Sequence, residues 1–303
     1  MKKIDAHLHV AQIIAGYCRR GELRAAGQGK AIWGNGELFQ LIPQEYGDKS
    51  FTIESAIGIM QQNNVEKAVL MQGSMYGFQN QYHYEIIKKY PGMFCPSCTV
   101  DPYMTNCLDT LRYYFSEMGF RLAKFEVSSG GGLMGCHEPF SLMSERMQEI
   151  YQVISDHDGI LALDVGDITM ASYQPENLRQ LALRFPGLKL VVCHLLAPVK
   201  GREKEWMEDL KRLHLDNVWF DISALPKILD SPTYPFTDAG EILTTANDIL
   251  GSKKMMWGTD APFAVTRNSY QDLAEYLEAG GVFTQEELSD MYYENARRVY
   301  FSE

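Results

Sequence analysis

The chain has 303 residues, 46% apolar and 22% charged, with a formal net charge of −11. This is the composition of a folded globular protein, and an acidic balance without a basic stripe excludes nucleic acid and anionic membrane as partners. Six cysteines scattered over such a length are not a disulfide framework, and no stretch has the apolar length of a membrane span or signal peptide, so a cytoplasmic protein with reduced thiols is expected.

The first strand covers Lys3 to Val10. Alternation puts His7 and His9 on one face, with Asp5 behind them, and two imidazoles on rigid neighbouring positions can share a metal ion. A glycine-rich stretch follows from Ala11 to Ser50, carrying Arg19, Arg20, Arg24, Trp33 and Tyr46. So long a loop reads as a lid or binding loop, or else as locally disordered, its arginines either meeting an anionic substrate or forming a solvated cluster. Beyond it the pattern is regular. Helices are expected over 52–63, 82–90, 109–118, 140–156, 174–185, 206–213, 239–250, 269–279 and 284–299, and strands over 67–71, 93–100, 120–127, 159–164, 188–194, 217–221 and 254–258. Eight strands alternating with helices call for a parallel sheet, and eight such units match a closed (β/α)₈ barrel. The expected organisation is one barrel domain over 1–303 with 11–50 as a lid-like insertion. An open doubly wound sheet is the alternative, but no glycine fingerprint of a dinucleotide site follows the first strand.

Polar residues gather at strand ends. His7 and His9 end the first strand, Asp164 the fifth and His194 the sixth, and Asp260 follows the eighth. A barrel brings all C-terminal strand ends to one mouth, so five candidate ligands or acid/base groups become neighbours. Singly, Asp260 can cap a turn, Asp164 can cap a helix and His194 can be a core histidine. Jointly they point to a metal-centred active site. On the fourth strand Lys124 and Glu126 face the same way, as an ion pair or with Glu126 as a further ligand or base. His137, in the next loop, either reaches substrate or is a surface histidine, and Arg267 is a candidate carboxylate clamp. Cys95 and Cys98 have CxxC spacing, but a strand turns their sulfurs to opposite faces, and Cys193 reads as core. His83, His157 and His214 receive no role. Trp206, Trp219, Tyr292, Tyr293, Tyr300 and Phe301 either form a homodimer interface or pack helices.

With IDAHLHV on the first strand, LKLVVCHLLAP on the sixth, MMWGTDAPF on the eighth and the terminal YYENARRVY, the chain resembles the amidohydrolase superfamily. Within it, the likeness is to the amidohydrolase-related family that includes aminocarboxymuconate-semialdehyde decarboxylase and related decarboxylases, hydratases and hydrolases. The resemblance implies one divalent ion, zinc ahead of manganese, with His7 and His9 as ligands. It implies His194 as an acid/base or substrate-orienting group and Asp260 as a ligand or proton shuttle. The family usually has a ligating histidine where this chain has Asp164; a carboxylate there can bind the same ion and favours manganese more than imidazole does. Some members carboxylate a lysine at the position of Lys124 to bridge two metals. The implied function is hydrolysis of a small amide, ester or lactone by a metal-activated water, with Glu126, His137 and Arg267 contacting a small, anionic substrate. Alternatives are non-oxidative decarboxylation of an unsaturated or aromatic acid, and a degenerate barrel that binds a small molecule without catalysis.

Overall fold

The computed structural model describes residues 1–231 and 233–302. Strand β1 (Lys3–His9) opens the main sheet, and β2 (Ala15–Cys18), β3 (Gly21–Gly27), β4 (Lys30–Trp33) and β5 (Leu38–Gln40) form a separate four-stranded one. The main sheet continues through β6 (Val65–Met71), β7 (Phe94–Cys98), β8 (Leu122–Glu126), β9 (Ile160–Asp164), β10 (Lys189–Val192), β11 (Val218–Asp221) and β12 (Met255–Met256). These eight strands are hydrogen-bonded in chain order, with helices between them. The seam between β12 and β1 is closed by Ala6 N–H on Trp257 O at 2.9 Å, Asp260 N–H on His7 O at 2.7 Å and His9 N–H on Ala261 O at 2.8 Å. This is the parallel (β/α)₈ barrel that the alternation of elements calls for.

Burial follows the strand period. Ile4, Ala6, Val69, Leu122, Ile160, Ala162, Val191 and Met256 form one apolar cluster inside the barrel, joined by Ala296, Val299 and Tyr300 of the last helix, Asn295–Tyr300. The alternate residues, such as Leu70, Ala123, Phe125, Leu161, Leu163 and Leu190, join the larger cluster outside with the helices. Strand β1 departs from this regularity. Asp5 pairs with Ala68 and Leu8 with Leu70, so β1 spends three residues where β6 spends two. That bulge reverses its facing: Ile4 and Ala6 lie inside before it, and Leu8 and Val10 lie outside after it. Asp5 therefore does not stand behind the two histidines. It lies on the outer face, fully buried, accepting from Thr259 N (2.9 Å), Thr259 Oγ1 (2.6 Å) and Tyr270 Oη (2.8 Å).

The glycine-rich stretch is an antiparallel meander rather than a loop. Burial alternates along β2 and β4, with Gly16, Cys18, Ala31 and Trp33 inward, and Gly21 (φ 93°) and Gly27 (φ 90°) supply the turn conformations that side-chain-bearing residues disfavour. The meander lies on the C-terminal side of the barrel, through Ala15 N–H on Tyr76 O, Tyr17 N–H on Ser74 O and Arg19 N–H on Gly135 O. Arg19 also pairs with Glu138 and Arg20 with Glu37.

At the other end of the chain, the expected helix over 284–299 is interrupted by a wide π turn at Asp290–Glu294. The Met291 carbonyl there accepts the Trp257 N–H at 2.8 Å. Trp206, Tyr292 and Tyr300 are buried in the fold, so these three pack helices. No helix of the described residues is long and apolar enough to cross a membrane.

The seam has one steric requirement. A Cβ on Gly258 would stand 2.8 Å from the His7 nitrogen and 2.9 Å from its Cβ, both closer than carbon tolerates. Gly258→Ala is expected to destabilise the fold by about 1–3 kcal/mol through overpacking. Thermal denaturation checks this; an unchanged Tm would contradict the closeness of the seam.

Candidate metal centre and active site

The bulge in β1 turns His7 and His9 into the mouth of the barrel. Their Nε2 atoms stand 3.2 Å apart. Asp260, drawn in by its backbone bond to His7, brings Oδ1 to 3.1 Å from His9 Nε2 and 3.8 Å from His7 Nε2. Ligands about 2.0–2.2 Å from one tetrahedral ion stand roughly 3.3–3.5 Å apart, so this triangle has the dimensions of a coordination site. His194 offers a further nitrogen, since ligand atoms of His7, His194 and Asp260 all lie within 4.8 Å of one another.

Protonation suits the same use. Burial presses His9 down to about 4, which keeps its ring neutral. Burial opposes ionisation of Asp260, but His9, His194 and His7 override it and hold the carboxyl at about 2. His7 Nδ1 lies 3.1 Å from Asp221 Oδ2, and both residues are fully buried. An ionised carboxylate only accepts, so Nδ1 carries the proton and Nε2 is left bare toward the mouth. His9 has no such partner among the described residues: its buried Nδ1 is unbonded there, and its ring stacks on Tyr76 at 4.7 Å.

Asp221 also governs His194. Its Oδ1 accepts from the His194 backbone N–H at 3.1 Å and from the Ser223 hydroxyl. Because that hydroxyl proton is spent on Asp221, Ser223 Oγ receives the Nδ1–H of His194 across 2.8 Å. The other nitrogen, Nε2, faces Asp164 Oδ2 at 3.6 Å. Burial works against a charge on His194, yet Asp164, Asp221 and Asp260 together raise it to about 10. Asp164 is held well below the usual carboxylate range, burial being outweighed by His194 and Lys124.

The expected sixth strand stops at Val192, and His194 to Ala197 form a left-handed turn with φ of 56°, 53°, 62° and 43°. Such residues cost about 1–2 kcal/mol each, and here Trp206 Nε1, donating to Leu195 O at 2.8 Å, helps hold them. Ala224 and Asp260 are also left-handed, so three adjacent loops at the mouth carry this strain.

Other expected residues fall around this cluster. Lys124 Nζ lies 4.0 Å from Glu126 Oε2. Burial lowers the Lys124 pKa, but Glu126 and Asp164 outweigh it and keep the amine charged, which disfavours carboxylation. Burial raises Glu126. A Cβ at Gly73 would overlap its carboxylate, so that glycine is what admits Glu126 to the mouth. His137 is bonded to Asp101, and Arg267 is exposed and paired with Asp230, an outer position that does not join the ligand triangle. Cys193 is buried inside the barrel within 4.8 Å of ligand atoms of His7 and Asp221, closer to the site than a simple core position.

Asp221 and Ser223 carry no motif and drew no attention in the sequence. The available signal was position: Asp221 ends a strand at the same mouth as Asp164.

Comparison with known proteins adds the following. A family model described as amidohydrolase matches residues 4–301. No curated protein sequence matches the chain. Among solved structures, one described as a probable 2-pyrone-4,6-dicarboxylic acid hydrolase from Acinetobacter baumannii, with citric acid bound, aligns over 100% of both chains with a TM-score of 0.72 and 19% identity. A Burkholderia multivorans amidohydrolase with bound zinc aligns over 100% of both chains, with a TM-score of 0.72 and 14% identity. A 2,6-dihydroxybenzoate decarboxylase from Rhizobium covers 85% of this chain and 90% of its own, with a TM-score of 0.60 and 14% identity. At these identities the likeness is one of fold.

Proposed function

We infer the function from one premise: this chain belongs to the amidohydrolase family and is an enzyme. We propose that it hydrolyses a small amide, ester or lactone using one divalent ion, zinc ahead of manganese, held by His7, His9 and Asp260. The observation that carries this is the triangle of two imidazole nitrogens and one carboxylate oxygen, 3.1 to 3.8 Å on a side. When bound, such an ion lowers the pKa of a water molecule and polarises a carbonyl oxygen.

The chain's own residues move the protons. Asp260, an anion at neutral pH, takes a proton from the attacking water as the new carbon–oxygen bond forms. His194, an imidazolium at neutral pH, gives its Nε2 proton to the leaving nitrogen or oxygen as that atom's bond to carbon breaks. Passage of the proton from Asp260 to His194 restores both groups. Ser223 selects the working nitrogen by holding Nδ1–H. Asp164, expected as a ligand, we assign to His194, whose charge it sustains from 3.6 Å.

Two cations beside the ion, Lys124 and His194, support a small anionic substrate. Six free thiols support a cytoplasmic setting. Non-oxidative decarboxylation is the second reading, favoured because a charged His194 is also the donor that would protonate carbon as carbon dioxide leaves.

The test is a panel of lactones, esters, amides and unsaturated acids in oxygen-18 water, with chelated and zinc-reconstituted enzyme. Product carrying one heavy oxygen, formed at least about 100-fold more slowly after chelation, is expected. Release of carbon dioxide with no label in the product selects decarboxylation, and turnover indifferent to chelation contradicts the metal.

A further inference from the structure

Beside the ligand cluster lies a cavity of about 330 Å³, walled by Ala15 and Tyr17 of β2, Phe78 after β6, Asp101 after β7, and Leu133 and His137 after β8. That is the size of a small-molecule pocket, and its walls are mainly apolar and aromatic. Tyr17 and Phe78 are 61% and 41% exposed, so the rim offers aromatic surface that the fold itself leaves uncovered.

His137 is the polar feature of this cavity, and it is fixed from several sides. Its Nε2 stands 2.9 Å from both carboxylate oxygens of Asp101, its ring packs on Tyr103 at 4.6 Å, and its carbonyl accepts from Arg19 at 3.1 Å. Asp101 is itself anchored by the Tyr103 N–H at 2.9 Å. Because a carboxylate only accepts, Nε2 carries a proton, and Nδ1 is the remaining polar atom of the ring. Among the described residues nothing is hydrogen-bonded to it. A hydroxyl, which can donate to a bare nitrogen or accept from a protonated one, is the group that pairs with Nδ1. A second carboxylate would meet Asp101 instead.

The cavity adjoins the reacting centre. Ser74 and Gly77 line it, while Tyr76 between them is buried and stacks on His9. The Glu126 carboxylate fills the space where a Cβ on Gly73 would stand and lies 3.7 Å from where a Cβ on Gly131 would, so glycines line its path between the two loops that wall the cavity.

We propose that this cavity binds the non-reacting part of the substrate, a flat apolar group bearing a hydroxyl that pairs with His137 Nδ1. The word substrate depends on the active-site reading above; the binding itself does not depend on turnover or metal. The test is a fluorine NMR titration of zinc-free and zinc-loaded protein with 4-fluorophenol and 4-fluoroanisole, which differ only in the donor. Wild type binds the phenol about tenfold more tightly than the ether, the worth of one hydrogen bond, with or without zinc. His137→Phe brings the two probes level, and Ala15→Trp, growing from an exposed strand position into the cavity, loses both while melting as wild type does. Equal binding of the two probes to wild type, or phenol binding that survives Ala15→Trp, overturns the proposal. A protein that binds the phenol as expected but neither takes up zinc nor turns over overturns the active-site reading instead.

Discussion

Asp260→Asn lowers kcat/KM by about a thousandfold or more, a loss of roughly 4 kcal/mol of transition-state stabilisation. Three separate contributions fall together. The anionic oxygen at 3.1 Å from His9 becomes a neutral amide, the negative charge that helps hold His194 as a cation disappears, and no base remains for the attacking water. The backbone is spared, because asparagine tolerates the left-handed conformation that Asp260 adopts at φ 61°. Steady-state kinetics on the substrate found by the panel checks this. A loss below tenfold would show that Asp260 neither binds the ion nor moves a proton.

The second large effect separates the proton donor from the residues that aim it. His194→Asn lowers kcat by about 10²- to 10⁴-fold with zinc content unchanged, the usual worth of a positioned acid. Asparagine again suits φ 56° and preserves the left-handed turn. Ser223→Ala leaves the ring in place but removes its 2.8 Å partner, and the Ser223 carbonyl, 3.3 Å from the same nitrogen, takes over in part. A fall of about tenfold in kcat with KM nearly constant is expected, with proton NMR showing the Nδ1–H of the imidazolium exchanging with water faster in the variant than in wild type. Loss of zinc in His194→Asn would make His194 a ligand and reassign the proton chemistry. An unchanged Nδ1–H exchange rate in Ser223→Ala would remove Ser223 from the account.

Much of the barrel was legible because its signals are local. Continuous apolar runs such as Ala68 to Met71 and Ile160 to Leu163 and the apolar faces of the intervening helices needed no tertiary knowledge, and their order called for a parallel barrel. His7, His9, His194 and Asp260 were legible for the same reason: a barrel sends strand ends to one mouth. What escaped depends on backbone detail. One extra residue in β1 sends Asp5 outward to Tyr270 and the histidines inward, and periodicity alone counts Asp5 with them. The meander of 15–40 was hidden by its glycines, although burial alternates at Gly16, Cys18, Ala31 and Trp33. The left-handed turn after β10 aims His194 between Ser223 and Asp164, a direction that strand alternation does not give. Asp221, at the end of β11, serves His194 after the neighbouring strand β10 and His7 on β1 beyond β12, a relation visible only once the strands are side by side.

The central claim is that His7, His9 and Asp260 form the metal site, and the most direct measurement of it is zinc stoichiometry. Wild type and His9→Gln are stripped with chelator, reloaded with zinc, dialysed and analysed by elemental mass spectrometry. One equivalent in wild type and less than about a tenth in the variant is the predicted result, since removal of one of three protein ligands costs most of the affinity. No zinc or manganese retained by wild type, or a full equivalent retained by His9→Gln, would contradict it.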